Sequence, residues 1–292
     1  MIIPYKDLLA QAQAGGYAVV YFEAWDVYSL EAVLEAAEGE NAPVILGFGG
    51  AMMDPAWVDG GGLDRLGALG LATARSAKVP VSLLLNEVKT FAQIIRGIHA
   101  GFNAVMLDSS SLPYADHVSL TRKVVEVAHA VEVGVEAELG VLPDASGEIG
   151  DHQGIPTDPD QAAHFVAETG IDALSVSVGN VHILTNGQAT IDLELLEKIH
   201  HRVSIPLVLH GGTGFPEDIT KQAIPFGVAK VNIGTALKQA FLEGIRTSIY
   251  NLPPKYSIQQ VMGSRKKTDI LQQGKIRMCE EVACRIRLWR PS

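Results

Sequence analysis

A regular alternation of short apolar segments with amphipathic helical segments constrains this chain more than any other feature. Eight segments rich in β-branched residues are predicted strands, beginning at positions 17, 43, 79, 103, 134, 172, 205 and 229. A helical pattern follows each of them, and the last one begins at Thr235. Strands that alternate with helices form parallel units, and strands covered on both faces are continuously apolar. The pattern predicts a single-domain α/β fold, the (βα)₈ TIM barrel.

An open doubly wound sheet is the alternative architecture, but the GxGxxG turn that usually follows its first strand is absent. No linker or low-complexity segment interrupts the chain, so one domain of barrel size is expected. Charge is nevertheless uneven, because residues 251–292 carry nine Lys and Arg against three Asp and Glu. We expect residues 1–250 to form the barrel and residues 251–292 to form a basic helical extension that packs on the barrel or on a partner subunit.

Composition narrows the classes of partner. The formal net charge of −10 argues against binding to nucleic acid. No apolar run reaches the length of a membrane span, and the amphipathic N-terminal segment lacks the core of a signal peptide. The two cysteines, Cys279 and Cys284, are spaced as in neither a zinc ribbon nor a redox motif. A cytoplasmic protein without nucleic-acid or membrane partners is therefore expected.

Polar and ionisable residues stand where the predicted strands end. Barrels of this type build their active sites on the C-terminal ends of the strands, whereas the opposite end serves stability. The strand ends and the residues just after them carry Glu23, Asn86, Glu87, Asp108, Glu138, His182, His210 and Asn232. Two histidines and several carboxylates from independent strands favour a functional site over isolated structural roles.

Glycine-rich sequences follow the last two strands, as HGGTG over residues 210–214 and NIGT over residues 232–235. Paired glycines let backbone N–H groups close on an anion, and the helix starts that follow add positive potential. Loops at this position commonly hold phosphate in barrels, while a tight turn that requires glycine is the structural alternative. The predicted phosphate-binding residues are Gly211, Gly212, Thr213, Gly214, Asn232, Gly234 and Thr235.

The sequence resembles the class II, metal-dependent fructose-bisphosphate and tagatose-bisphosphate aldolases. The resemblance runs to about residue 250 and is strongest over residues 100–129, 133–140, 157–182, 205–214 and 230–241. It implies an aldehyde lyase of carbohydrate metabolism that makes or breaks the aldol bond of a ketose phosphate. In this family a divalent metal, usually zinc, polarises the ketose carbonyl and stabilises an enediolate. The resemblance also implies a homodimer or homotetramer.

Position by position, the resemblance implies that His182 and His210 bind the metal. It implies that Glu138 approaches and adjusts the metal, and that Asp108, the acidic residue on the neighbouring strand, belongs to the metal-binding set. The groups that hold the phosphate and the enediolate match Gly211, Thr213, Asn232 and Thr235.

The third strand departs from the family. Where the family has His-x-Asp-His-Gly, this sequence has LLNEV, so Asn86 replaces the catalytic Asp and Glu87 replaces a metal-binding His. Glu87, His182 and His210 would still supply one carboxylate and two imidazoles, a set that accepts zinc first and also manganese, iron or cobalt. An amide cannot transfer a proton, so Asn86 would orient the substrate hydroxyl.

The first two strands depart as well, since Glu23-Ala24-Trp25-Asp26 replaces Asn-x-Asn-Asn and Gly49 replaces Ser. Glu23 is the first candidate for the missing proton transfer, because it places a carboxylate where the family has an amide. Trp25 is predicted to face the sugar, and burial at the rim is the alternative. Further proton-transfer candidates are Asp26, Glu148 and His152.

Three functions remain compatible with these residues. A metal-assisted aldehyde lyase acting on a ketose phosphate is the first prediction. An isomerase, epimerase or different lyase that uses the same enediolate chemistry is the second, favoured by the altered first and third strands. A non-catalytic sugar-phosphate-binding barrel is the third.

Overall fold

Eight parallel strands close into a barrel in the computed structural model, which describes residues 1–143, 154–182 and 187–290. The strands pair in chain order, and β8 closes the barrel by pairing with β1. The predicted TIM barrel is confirmed, and each predicted strand overlaps an observed one. The strands are β1 Val19–Glu23, β2 Val44–Gly49, β3 Val81–Val88, β4 Ala104–Leu107, β5 Gly134–Leu139, β6 Ala173–Val176, β7 Leu207–Leu209 and β8 Val228–Ile233.

Helices surround the strands. Polar side chains fix where several of them begin, as at Asp26 and Thr90, which both close capping boxes. No helix in the described ranges is long and apolar enough to cross a membrane. The described α-helices are α1 Tyr5–Gly15, α2 Val27–Gly39, α3 Pro55–Trp57, α4 Leu63–Ser76, α5 Phe91–His99, α6 Tyr114–His129, α7 Pro159–Thr169, α8 Leu193–His200, α9 Glu217–Ala223, α10 Thr235–Tyr250, α11 Ile258–Val261 and α12 Ile270–Trp289.

Helix α1 covers the N-terminal end of the barrel. Its buried residues Tyr5, Leu8, Leu9 and Ala12 form one apolar cluster with inward-facing strand residues such as Leu84. A larger cluster fills the space between the strands and the outer helices. The C-terminal ends of the strands are therefore the end of the barrel at which a site can open.

Helix α12 packs against α10, α2 and β1. Its residues Met278, Val282, Ile286 and Trp289 are buried, and the carbonyl oxygen of Trp289 accepts a hydrogen bond of 3.0 Å from the N–H of Ala18. The helical part of the C-terminal extension thus contributes side chains to the main core.

Candidate active site

A cavity of about 220 Å³ opens at the C-terminal ends of the strands. It brings together residues that are far apart in sequence, from the first strand to the first turn of α10. The lining residues are Tyr21, Glu23, Gly49, Met52, Asn86, Glu87, His182, Gly211, Thr213, Asn232, Ile233, Gly234, Thr235 and Lys238. Nine of the predicted site residues are among them. These nine residues thus share one cavity.

The backbone at Glu87 is distorted in a way that the sequence does not reveal. Its φ of 53° lies in the left-handed region, and the pairing of β3 with β4 shifts register between Leu85 and Val88. Such irregularities re-aim side chains and concentrate at functional sites. In a regular strand Asn86 and Glu87 would face opposite sides, whereas here both line the cavity.

The Glu87 carboxylate lies between the two histidines. Its Oε1 is 3.6 Å from His182 Nε2 and 3.3 Å from His210 Nδ1. Metal–ligand distances of 2.0–2.1 Å give a tetrahedral site edges of about 3.3 Å, so these two separations suit donors that share one ion. No three His, Cys, Asp or Glu side chains in the described ranges are already arranged as a complete metal site.

His210 presents one ring nitrogen to the cavity side and the other to the barrel interior. Its Nε2 donates a hydrogen bond of 2.8 Å to Glu136 Oε1, while its buried Nδ1 has no hydrogen-bond partner in the described chain. Burial lowers the pKa of His210, but the neighbouring Glu136 and Glu87 carboxylates outweigh this and raise it to about 10. A carboxylate on the far nitrogen is the usual arrangement behind a metal-binding histidine.

Glu136 belongs to a buried polar cluster beneath the cavity. Lys230 Nζ lies 2.8 Å from Glu136 Oε2 and also donates to Asn232 Oδ1, and the Tyr5 hydroxyl donates to Glu136 Oε2. Burial alone would raise the pKa of Glu136, but Lys230 and His210 lower it to about 2. Glu136 therefore stays ionised although it is fully buried.

Sequence analysis did not identify Glu136, Lys230 or Tyr21. The signal was present, since residues two apart on a strand face the same side. Counting back two positions from Glu138, Asn232 and Glu23 gives these three residues.

Two further polar atoms of the cavity lining are left without hydrogen-bond partners in the described part of the chain. Asn86 Nδ2 donates to Glu87 Oε2 at 2.7 Å, but its buried Oδ1 accepts nothing. The buried Tyr21 hydroxyl is also unpartnered. Buried polar groups are nearly always satisfied, so unpaired atoms that converge on one cavity indicate a polar ligand.

The glycine-rich end combines a tight turn that requires glycine with the start of a long helix. Gly211 has a φ of 71°, and a Cβ there would lie 2.0 Å from the carbonyl oxygen of Val181. Helix α10 begins at Thr235, and Gly234 before it provides no side-chain cap. Thr213 Oγ1 accepts a 3.3 Å hydrogen bond from the N–H of Ala236. The start of this 16-residue helix favours an anion.

Glu138 lies just behind the cavity lining. Its Oε2 is 3.6 Å from His210 Nδ1 and accepts a 3.2 Å hydrogen bond from Ser175. Burial raises the pKa of Glu138. The residue can therefore adjust the electrostatics of His210 without lining the cavity.

Other predicted residues lie elsewhere. Asp108 pairs with Lys89 Nζ at 2.5 Å, and Trp25 stands edge-on to Phe241 at 5.4 Å between ring centres. Neither is among the described residues that line the cavity, so the structure does not bring Asp108 or Trp25 to the cavity with the other predicted residues. The Asp26 carboxylate caps α2 by accepting from the N–H of Ser29 at 2.7 Å. Gly212 and Gly214 form a 3₁₀ turn behind the lining.

Glu148 and His152 lie outside the described residues. Glu23 lines the cavity, but its Oε1 accepts a 2.9 Å hydrogen bond from Lys238 Nζ. Lys238 was not identified from the sequence. Its partner comes from the first strand, 215 positions away, and no local pattern connects them.

Known proteins share both this sequence and this fold. The family model for class II fructose-bisphosphate aldolase matches residues 3–291. A fructose-bisphosphate aldolase from Staphylococcus aureus (strain Mu50) is 34% identical over 278 residues, covering 94% of this chain and 96% of the relative. The crystal structure of the YdjI aldolase from Escherichia coli K12 superposes with a TM-score of 0.83 at 28% identity, covering 99% of this chain and 97% of that one.

A putative fructose-1,6-biphosphate aldolase from Coccidioides immitis is also similar. It superposes with a TM-score of 0.81 at 25% identity, over 98% of this chain and 95% of that one. The match to the family model spans nearly the whole chain, including the C-terminal extension. This chain belongs to the class II fructose-bisphosphate aldolase family.

Proposed function

We propose that this chain is a metal-dependent aldehyde lyase that reversibly cleaves a ketose phosphate. The observation that carries the proposal is that Glu87 and His182 line one cavity, with His210 Nδ1 3.3 Å from Glu87 Oε1, beside a glycine-rich helix start. The three side chains suit a divalent metal, and the glycine-rich helix start suits a phosphate.

The residues present fit a metal by their donor chemistry. Two imidazoles and one carboxylate accept zinc, and also manganese, iron or cobalt. The unpartnered Nδ1 of His210 is the clearest sign, because Glu136 already holds the other ring nitrogen. When bound, a divalent metal would supply Lewis-acid polarisation of the ketose carbonyl.

Cleavage requires a proton to leave the substrate's C4 hydroxyl as the C3–C4 bond breaks. The electron pair of the broken C3–C4 bond stays with C3 and forms an enediolate. Protonation of this enediolate at C3 then gives the released ketone phosphate. Asn86 orients the hydroxyl through its unpartnered Oδ1, since an amide cannot accept the proton. Asn232, Gly211, Thr213 and Thr235 hold the phosphate half.

Two carboxylates near the cavity are not placed for the proton transfer. Glu138 lies behind the lining, where its Oε2 is 3.6 Å from His210 Nδ1, so we assign it to adjusting this histidine. Glu23 lines the cavity, but Lys238 already engages its carboxylate at 2.9 Å. Glu148 and His152 stay candidates from the sequence alone.

The test is metal analysis followed by a panel of ketose phosphates assayed for aldehyde release. We expect about one divalent metal per chain, loss of cleavage after chelation and recovery on adding zinc, manganese or cobalt. Glu87→Ala should lose both metal and cleavage. Glu38→Ala is the matched control, since Glu38 pairs with Lys78 away from the cavity. Absence of metal, with no gain in melting temperature on adding it, would support a non-catalytic binder.

An isomerase or epimerase is the second candidate, because the amide of Asn86 stands where cleavage would use a proton acceptor. The same panel separates the two reactions. Conversion of one sugar phosphate into another without aldehyde release would replace the lyase with the isomerase.

We further propose that the protein is a homodimer or homotetramer. Tyr250 is 88% exposed, and Tyr256, Ile258 and Met262 are also exposed apolar residues near the end of α10 and on α11. A cavity of about 700 Å³ lies beside them, between α10 and α12. Apolar groups exposed together commonly mark protein interfaces. Light scattering coupled to gel filtration should give two or four times 31.2 kDa, and a monomer at micromolar concentration would contradict this.

A further inference from the structure

Glu23 occupies space that the neighbouring loops leave empty. A Cβ on Gly49 would lie 2.9 Å from Glu23 Oε1, and a Cβ on Gly234 would lie 2.3 Å from Glu23 Oε2. Two glycines from β2 and from the turn after β8 therefore make room for this one carboxylate. Glu23 lines the cavity.

Lys238 holds this carboxylate in place. Its Nζ donates to Glu23 Oε1 at 2.9 Å, which joins the end of β1 to the first turn of α10. The side chain of Glu23 is 16% exposed and that of Lys238 is 46% exposed. The pair is neutral as a whole, so Lys238 has its charge balanced before substrate arrives.

Apart from the proposed metal site, few side-chain cations line the cavity. Among the described lining residues, Lys238 is the only Lys or Arg, while Glu23 and Glu87 both bring negative charge. The undescribed segments 144–153 and 183–186 contain no lysine or arginine. A phosphate at the glycine-rich end uses neutral backbone N–H groups, so it needs no lysine.

We propose that Glu23, positioned by Lys238, restricts the site to ketoses with a single phosphate, whose other half is an uncharged polyol. A carboxylate accepts hydrogen bonds from hydroxyl groups and repels a second phosphate. This inference rests on the proposed lyase function, and it names the substrate class of the same cavity.

The experiment uses the metal-loaded protein in two parts. Solvent deuterium exchange into the hydroxymethyl carbon of dihydroxyacetone phosphate reports enediolate formation and tests the proposed function alone. Condensation of dihydroxyacetone phosphate with either glyceraldehyde or glyceraldehyde 3-phosphate then tests whether the aldehyde half of the substrate can carry a phosphate. We expect exchange, and a kcat/KM for glyceraldehyde at least about tenfold higher, a ratio that corresponds to about 1.4 kcal/mol.

Two variants separate charge from shape. Glu23→Gln keeps the shape, removes the charge and releases Lys238, so the preference should fall toward equality. Lys238→Met leaves the carboxylate unpaired, so the preference should increase. Glu38→Gln, whose pair with Lys78 is remote from the cavity, should keep the wild-type ratio.

Each outcome has one meaning. No exchange would overturn the proposed function. Exchange without a preference for glyceraldehyde, including exchange with no condensation of either aldehyde, would overturn the inference and leave the function standing. A preference that neither Glu23→Gln nor Lys238→Met alters would also overturn it, because the selectivity would then come from elsewhere.

Discussion

At the scale of single residues, Glu136 decides which nitrogen of His210 is available to a ligand. The 2.8 Å hydrogen bond from Nε2 to Glu136 leaves Nδ1 directed toward Glu87 and Glu138. Glu136→Gln keeps an acceptor but removes the charge that makes the imidazole a strong donor. We expect metal affinity to fall by about 10- to 100-fold, measured by competition with a coloured chelator. An unchanged metal affinity would mean that the charge of Glu136 does not influence metal binding.

Lys230 is predicted to be important for stability. It is fully buried and lies 2.8 Å from Glu136 Oε2. Removing one partner of a buried ion pair typically costs about 3–5 kcal/mol, because the other charge is left unpaired. Lys230→Met should therefore lower the free energy of unfolding by about that amount in urea, and adding Glu136→Gln should recover part of it. Strictly additive losses would contradict this coupling.

The sequence allowed part of the site to be predicted at this scale. Glu87, His182 and His210 were identified because strand ends and their adjoining loops meet at one rim, and the structure brings them together. The orientation of Glu87 could not be foreseen, since it depends on a local break in strand register at a φ of 53°. The pairing partners of Asp108 and Glu23 were equally hidden, because they depend on where Lys89 and Lys238 lie in space.

At the scale of elements, the alternation of apolar and helical segments predicted every strand of the barrel, and the errors lie at the ends. The sequence predicts a strand over residues 172–178, but β6 ends at Val176, because the N–H of Val178 donates to Asn180 Oδ1 at 2.8 Å instead of to a strand. Strand β3 extends to Val88 through its irregular register. The hydropathy pattern carries little information about bulges or about side chains that compete for backbone hydrogen bonds.

Helix α6 is attached to the strand ends through His117. Its Nε2 donates to the Glu138 carbonyl oxygen at 2.9 Å, its Nδ1 contacts the Ser109 hydroxyl, and its ring stacks on Phe165. Burial lowers the pKa of His117 in the folded protein, so the unfolded chain takes up a proton more readily. Stability is therefore fully present above the unfolded pKa of about 6.5 and is lost as pH falls below it.

The corresponding prediction compares His117→Gln with wild type in urea between pH 7 and pH 5. The variant should be less stable at pH 7 but lose less stability on acidification. His164→Gln, at an exposed position of α7, should follow the wild-type slope. Equal slopes for all three proteins would remove His117 as the acid-sensitive group.

At the scale of the whole molecule, the C-terminal helix completes the barrel. Met278, Val282, Ile286 and Trp289 of α12 are buried in the main core against α10 and α2. Deleting residues 270–292 should abolish cooperative thermal unfolding, because those apolar contacts cannot be replaced by water. A truncated protein with the wild-type melting temperature, measured by calorimetry, would show that the barrel does not need α12 for its stability.

The cytoplasmic location stays a prediction from the sequence.

The central claim is that Glu87, His182 and His210 bind one divalent metal in the cavity, and anomalous diffraction from crystals grown with zinc tests it most directly. The account predicts one strong anomalous peak bonded to His182 Nε2, His210 Nδ1 and the Glu87 carboxylate, at about 2.0–2.2 Å. A cavity without an anomalous peak at saturating zinc, or a peak whose ligands exclude Glu87, would contradict it.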